Sequence, residues 1–283
     1  RGFILCLVSV TIPAGLGILA KETAVMLPLY AFLIEWCLFE FARAGDTAPV
    51  STSETPKVQR RDRRIVVLFL LVLAIPMVAG LAWLLPGIIK PEAWATRDFS
   101  LTTRLFSETR IIVDYIVWTL FPSPDALSFY HDDFPISTGL LTPWTTLASI
   151  AFLGALLGLM IWLRRRVPLA ALGIALFFGC QLLTGTILPL ELIYEHRNYF
   201  ASFGLMLAIV PLLAAPRIEP FALPRHLALG GLLACWTTLT AFTAYAWGNP
   251  LRLAEDLASR APKSPRAQYE LGRTYIIYSH YDP

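Results

Sequence analysis

Charged residues are scarce in this chain. Asp, Glu, Lys and Arg supply 15% of its 283 residues, against roughly 25% in a soluble domain. The scarcity excludes a water-soluble globule, because so much apolar surface has nowhere to hide in a chain of this size. Cysteine is rare too. Cys6, Cys37, Cys180 and Cys235 all lie inside apolar runs, which argues against a disulfide scaffold and a metal cluster. Glycine-rich phosphate loops, zinc-ligand spacings and nucleophile elbows are missing. So is any Asn-x-Ser/Thr acceptor, and nothing suggests nucleic-acid binding. The chain opens on Arg1, with no initiator Met and no signal-peptide cleavage site. Its last residues, Tyr281-Asp282-Pro283, interrupt a repeat pattern, so we expect a piece of a longer protein.

Apolar residues are what the chain has in abundance. The set AVILMFWYC makes up 56% and mean hydropathy is +0.61. A spanning helix needs about 20 apolar residues. Runs that meet this are 2–20, 23–42, 65–86, 144–163, 168–190, 200–215 and 227–247. The expected fold is an all-α integral membrane protein with about seven transmembrane helices.

Basic residues set the orientation, since cytoplasmic loops carry an excess of Lys and Arg. With Arg1 inside, loop 43–64, Arg164-Arg165-Arg166 and the turn with Arg217 and Arg225 are inside as well. That places twelve basic residues inside and six on the other side up to residue 247. The C-terminus is then extracytoplasmic. Residues 102–121 pose an ambiguity. On a helix, Thr103, Arg104, Ser107, Glu108, Arg110 and Asp114 share one sector. Leu105, Phe106, Ile112, Val113, Ile116, Val117 and Leu120 fall opposite. This pattern predicts an amphipathic helix lying along the interface rather than crossing it. Residues 87–143 then form one extracytoplasmic region within a membrane domain spanning 1–247. Residues 248–283 read as the start of an extracytoplasmic tetratricopeptide-repeat domain. Leu271, Gly272 and Tyr275 keep the Leu-Gly-x-x-Tyr spacing of a first repeat helix, where glycine admits the paired helix and Tyr275 packs between them. A chance amphipathic tail helix is the alternative.

Ionisable groups beside a membrane are the sharpest pointers to chemistry. Lys21 and Glu22 occupy the turn between the first two runs. They read as a cation offered to a lipid phosphate, with Glu22 orienting it, or as plain interfacial snorkelling. Glu195-His196-Arg197-Asn198-Tyr199 fills another extracytoplasmic turn. Arg197 suits bidentate phosphate binding and His196 suits proton transfer; a solvated helix cap is the alternative. His131-Asp132-Asp133 offers paired carboxylates for a general base or a divalent cation, or a turn whose Asp side chains bond their own backbone.

Several of these stretches resemble a known family. Gly15-Leu16-Gly17-Ile18-Leu19-Ala20-Lys21-Glu22 is similar to the Lys-containing turn of GT-C-fold glycosyltransferases that use lipid-linked sugars. The stretch from Arg104 through Arg110, Tyr115 and Pro122 to Asp132-Asp133-Phe134-Pro135-Ile136-Ser137 resembles the extracytoplasmic domain of transmembrane and tetratricopeptide-repeat O-mannosyltransferases. So does Tyr194-Glu195-His196-Arg197-Asn198-Tyr199-Phe200-Ala201-Ser202, and so does the run from Trp247 to Pro283. The resemblance implies transfer of a sugar, mannose-like, from a polyprenyl- or dolichyl-phosphate carrier to a hydroxyl of a protein or glycan. It implies Lys21, Arg197 and His196 at the lipid phosphate, supported by Glu22, Tyr199, Arg104 and Arg110. Glu195, Asp132 and Asp133 are the candidate catalytic carboxylates. The family's principal acidic motif follows its first span and has no counterpart here, so it is expected upstream of Arg1. Membrane lipids, the lipid-linked donor and a protein acceptor or partner at the repeats are the expected partners. The competing readings are a non-catalytic membrane-anchored repeat scaffold and a lipid-linked-sugar transporter. Short loops and the missing acceptor sequence fit a bacterial inner membrane, or the ER membrane in a eukaryote.

Overall fold

The computed structural model describes residues 2–42, 61–123, 128–214 and 222–279. Readings that rest on Arg1, on 43–60, on Pro124 and Asp125, on Arg217 or on 280–283 lie outside these residues. Ten helices succeed one another among the described residues. They are α1 (Gly2–Ala20), α2 (Glu22–Phe39), α3 (Arg63–Ile88), α4 (Leu101–Leu120), α5 (Thr145–Leu163), α6 (Pro168–Thr184), α7 (Glu195–Ala214), α8 (Ala222–Trp247), α9 (Pro250–Arg260) and α10 (Pro265–Ser279). The chain is an integral membrane protein. Six helices, α1, α2, α3, α5, α7 and α8, are long and apolar enough to cross a membrane. Their outer surfaces keep Leu5, Val78, Trp83, Ile161 and Leu227 exposed, an apolar coat suited to lipid.

The expected span over 168–190 is a shorter helix. α6 has 17 residues and rises about 25 Å, less than the roughly 30 Å hydrocarbon core. It stops at Thr184, and the carbonyls of Thr184 and Thr186 accept from the Arg104 side chain. Pro189, with no N–H, could not have continued the ladder. In exchange α6 is the most enclosed helix, with every residue from Ala170 to Phe177 buried between α2, α5 and α7.

Small residues bring α6 and α7 together. A Cβ on Gly173 would lie 2.4 Å from the Ala208 nitrogen and 2.5 Å from the Gly204 oxygen. A Cβ on Gly204 would lie 2.6 Å from the Gly173 oxygen. The backbones therefore touch, the close approach that small residues four apart allow in a membrane. Around this crossing, Ile116, Leu153, Phe177, Ala201 and Leu205 form one buried cluster.

Contacts sort the connections into two ends. At one end Arg164 donates to the Trp36 carbonyl and nears Glu40, and the bridge Ala42–Arg61 lies nearby in sequence. At the other end are the α1–α2 turn, the segments flanking α4, the stretch 185–199 and the tail. This grouping is the one that charge asymmetry assigns to opposite sides of the membrane.

α4 begins with a capping box between Ser100 and Thr103, which meets the free N–H groups of its first turn. Arg104 near its start reaches Thr184, and Thr119 near its end reaches Asn198 in the first turn of α7. Both ends of α4 therefore meet the same end of the bundle. The polar sector does not face water. Arg104, Ser107 and Glu108 are buried in the protein, because backbone carbonyls and other side chains supply the partners that water would. Leu105 and Val117, from the apolar sector, are exposed instead.

The tail folds as a helical hairpin. Asn249 caps α9 through the N–H groups of Leu251 and Arg252, and Arg252 donates back to the Tyr245 carbonyl of α8. Ala258 and Ala267 are buried. A Cβ on Gly272 would meet nothing within 4 Å, and Tyr275 is exposed, donating to Glu255. Gly272 lies five residues from Ala267, about 140° around the helix, so it cannot share that buried face.

The α6–α7 crossing gives a test. Gly204→Ala gains about 1 kcal/mol of helix propensity, but its methyl meets backbone that cannot yield, a clash costing about 1–3 kcal/mol or more. Net destabilisation is expected in thermal unfolding of the detergent-solubilised protein. Gly158→Ala in α5, where a Cβ meets nothing within 4 Å, is expected to be neutral or slightly stabilising.

Candidate functional site

The polar end of the bundle is built around one guanidinium. Arg104 is fully buried. Its Nη2 donates to Thr184 O at 2.8 Å, Nε to Thr186 O at 2.9 Å and Nη1 to Leu190 O at 2.5 Å. Glu108, one turn on, pairs with it at 2.6 Å. The Thr184 carbonyl is one of those a helix end leaves without partners, and a charged donor satisfies it strongly. Burial raises the Glu108 pKa above the usual carboxylate range, although Arg104 and then Arg197 act to lower it.

The entry to α7 is pinned from two sides. Tyr115 Oη accepts from Tyr194 N–H at 2.9 Å. Asn198 donates to Thr119 Oγ1 at 3.0 Å, while its own Oδ1 accepts from Gln181 at 3.0 Å. These contacts fix the helix turn that carries Glu195, His196 and Arg197. Arg197 is half-buried, donates to the Glu191 carbonyl at 2.7 Å and lies 4.7 Å from the Tyr194 ring centroid. His196 is exposed beside the Tyr194 ring, at 4.9 Å, within electrostatic reach of both Arg197 and Lys21. Of the expected phosphate-binding trio, His196 and Arg197 are neighbours in one helix turn, and Lys21 lies within electrostatic reach of His196. Glu22 is exposed and makes no ion pair with Lys21, and Tyr199 points outward, 83% exposed.

The carboxylate candidates separate. Glu195 Oε1 accepts from Ser128 N–H at 2.5 Å and lies 3.2 Å from His131 Nε2. His131 stacks on Trp118 with centroids 5.4 Å apart. Asp132 turns the other way, to Ser264 and Arg266 of the tail hairpin. Arg266 also approaches Glu191 at 3.7 Å. Asp133 is exposed and accepts no hydrogen bond from a described residue. The adjacent pair therefore does not act as a pair. The His131–Glu195 contact joins residues 64 apart, and no local pattern announces it. Arg110 holds the loop after Asp133, donating to Pro135 O at 2.6 Å and lying 4.6 Å from the Phe134 ring centroid.

Beside the dyad an open, apolar crevice of about 670 Å³ runs between α4, α7 and α8. Trp118, Met206, Trp236, Leu239 and Trp247 line it, so Trp118 is shared between crevice and dyad. Among the described residues no three His, Cys, Asp or Glu side chains gather as a metal would need. Protein-family profiles, curated proteins and solved structures were compared with the chain, and none matches.

Two outcomes follow from these contacts. Arg104→Met removes the donor from three carbonyls and leaves Glu108 buried alone. It is expected to cost about 3–5 kcal/mol, read as a large fall in melting temperature. The second concerns pH. Burial acts to raise the Asp132 pKa, but hydrogen bonds and charge from Arg266 and Ser264 outweigh it, and the net shift is downward. A depressed carboxyl stabilises the folded contact above its unfolded pKa, about 3.9, and loses that contribution as pH falls through the folded value. Hydrogen exchange in 265–279 is therefore expected to accelerate as pH drops below about 4, after correction for intrinsic rates. Asp132→Asn should remove that dependence.

Proposed function

We propose that the chain is part of a membrane glycosyltransferase, moving a mannose-like sugar from a polyprenyl-phosphate carrier to a protein or glycan hydroxyl. One observation carries the reading: Arg197 and His196, with Lys21 in electrostatic reach of His196, share one bundle end with the His131–Glu195 dyad, and the dyad adjoins an apolar crevice through Trp118. A lipid-linked sugar has those three requirements. Its hydrocarbon chain needs an apolar groove, its phosphate needs positive charge, and the acceptor hydroxyl needs a base.

In this reading the acceptor oxygen attacks the sugar's anomeric carbon and the bond to the carrier phosphate breaks. Lys21 and Arg197 stabilise the leaving phosphate. Glu195, oriented by Ser128 N–H and His131, is the described carboxylate best placed to take or guide the proton. Asp132, bound to Arg266, serves to hold the tail hairpin. An extracytoplasmic C-terminus in a bacterial inner membrane is part of the same proposal.

The α9–α10 hairpin, with Tyr269 and Ile276 exposed, favours a second reading, a membrane-anchored scaffold whose hairpin begins a tetratricopeptide array. Transfer from a radiolabelled polyprenyl-phosphate mannose, catalysed by membranes carrying the full-length protein, separates the two. Lys21→Ala and Arg197→Ala are each expected to reduce transfer about ten- to a thousand-fold, the scale of losing one stabiliser of a developing anion. Arg197→Lys should restore it only in part. No transfer above that of membranes lacking the protein would defeat the enzyme reading, and transfer unchanged in both alanine variants would defeat the assignment of Lys21 and Arg197.

A further inference from the structure

A second cleft of about 330 Å³ lies along α4, one turn before Trp118, against the first two turns of α5. Arg110, Val113 and Asp114 line one side, and Thr145, Ser149 and Phe152 the other. We propose that this cleft holds the headgroup of an aminophospholipid, its phosphate on Arg110 and its primary ammonium on Asp114.

Arg110 and Asp114 stand one turn apart on α4, with Cβ atoms about 5–6 Å apart. They form no ion pair with each other, because Arg110 Nη1 is drawn to Pro135 O and Ser137 Oγ. Its remaining N–H groups are uncommitted. Asp114 is half-buried and accepts no hydrogen bond from any described residue; its charged neighbours are Arg110 and His131. Thr145 Oγ1 is buried and has no partner either. Partly desolvated polar groups without partners are costly unless something fills the site. A ligand with an anionic acceptor beside a cationic N–H donor satisfies both charges, and the Thr145 hydroxyl can join either.

Location selects among such ligands. α5 is apolar enough to span a membrane, and Ala148 and Phe152 face outward at its start. The cleft thus opens where lipid headgroups meet hydrocarbon, and Val113 and Phe152 offer apolar wall to the first carbons of a chain. Asp114 needs a hydrogen-bond donor, which a primary ammonium supplies and a quaternary one does not. Nothing here depends on the glycosyltransferase reading.

The purified protein is delipidated gently and incubated with equimolar phosphatidylethanolamine, phosphatidylcholine and phosphatidylglycerol, and retained lipid is counted by native mass spectrometry. Phosphatidylethanolamine is expected to exceed phosphatidylcholine about tenfold, the worth of a charge-assisted hydrogen bond. Asp114→Asn should bring the two level, and Arg110→Gln should lower both. Equal retention by the wild type, or a preference for phosphatidylglycerol, overturns the proposal without any variant having to fold. So does a preference that survives in folded Asp114→Asn. Thr145→Val provides an uncharged second variant, expected to weaken phosphatidylethanolamine retention. Methyl mannoside displacing the bound lipid would assign the cleft to a sugar instead and would also overturn the proposal.

Discussion

A guanidinium with no solvent contact governs the polar end of this protein. Removing such a charge from water costs several kcal/mol unless its donors are all engaged. Arg104 donates to the carbonyls of Thr184, Thr186 and Leu190 and pairs with the Glu108 carboxyl. The carbonyls belong to the end of α6 and the segment after it, while the donor belongs to α4. One side chain thus binds three pieces of chain, and the route of 185–194 follows from it. That segment in turn supplies the Glu191 carbonyl to Arg197 and the Glu191 carboxylate to Arg266. The candidate site and the tail latch both lean on the geometry that Arg104 imposes.

Cohesion changes character along the bundle. Between α6 and α7 the helices meet through Gly173, Gly204 and Ala208, at backbone contact. Lipid removes the hydrophobic drive between helices, so close van der Waals approach has to hold them. Toward the polar end, from Gly173 to Gln181 on α6 and from Gly204 back to Asn198 on α7, Gln181, Asn198, Thr119 and Tyr115 take over with directional hydrogen bonds. The apolar part sets the distance between helices, and the polar part sets which side chains emerge at the end.

What emerges divides by exposure. Arg104, Glu108 and Tyr115 are buried and act as framework. Lys21 and His196 are exposed, and Arg197 is half-buried, with one nitrogen bound to the Glu191 carbonyl and its guanidinium beside the Tyr194 ring. Concentrated positive charge near a headgroup layer attracts anionic groups. Asp132 illustrates the reverse: a carboxylate that reads as reactive in the sequence is neutralised by Arg266 and spends itself on holding the hairpin.

The helical class, the membrane location and the start of most long helices were legible in the sequence, while α7 and α8 begin at Glu195 and Ala222, five residues before the expected runs. The legible features depend on hydrophobic runs and on capping residues, and both act over a few neighbours. The apolar run continues to 190, yet α6 stops at Thr184, whose carbonyl accepts from Arg104 eighty residues away. The same distance in sequence hid the His131–Glu195 dyad and the separation of Asp132 from Asp133. Periodicity located both faces of α4 yet pointed its polar face toward water, because a pattern of side chains cannot tell water from a ring of backbone carbonyls. That choice belongs to the tertiary structure, where a buried charge is tolerated only once distant chain has closed around it.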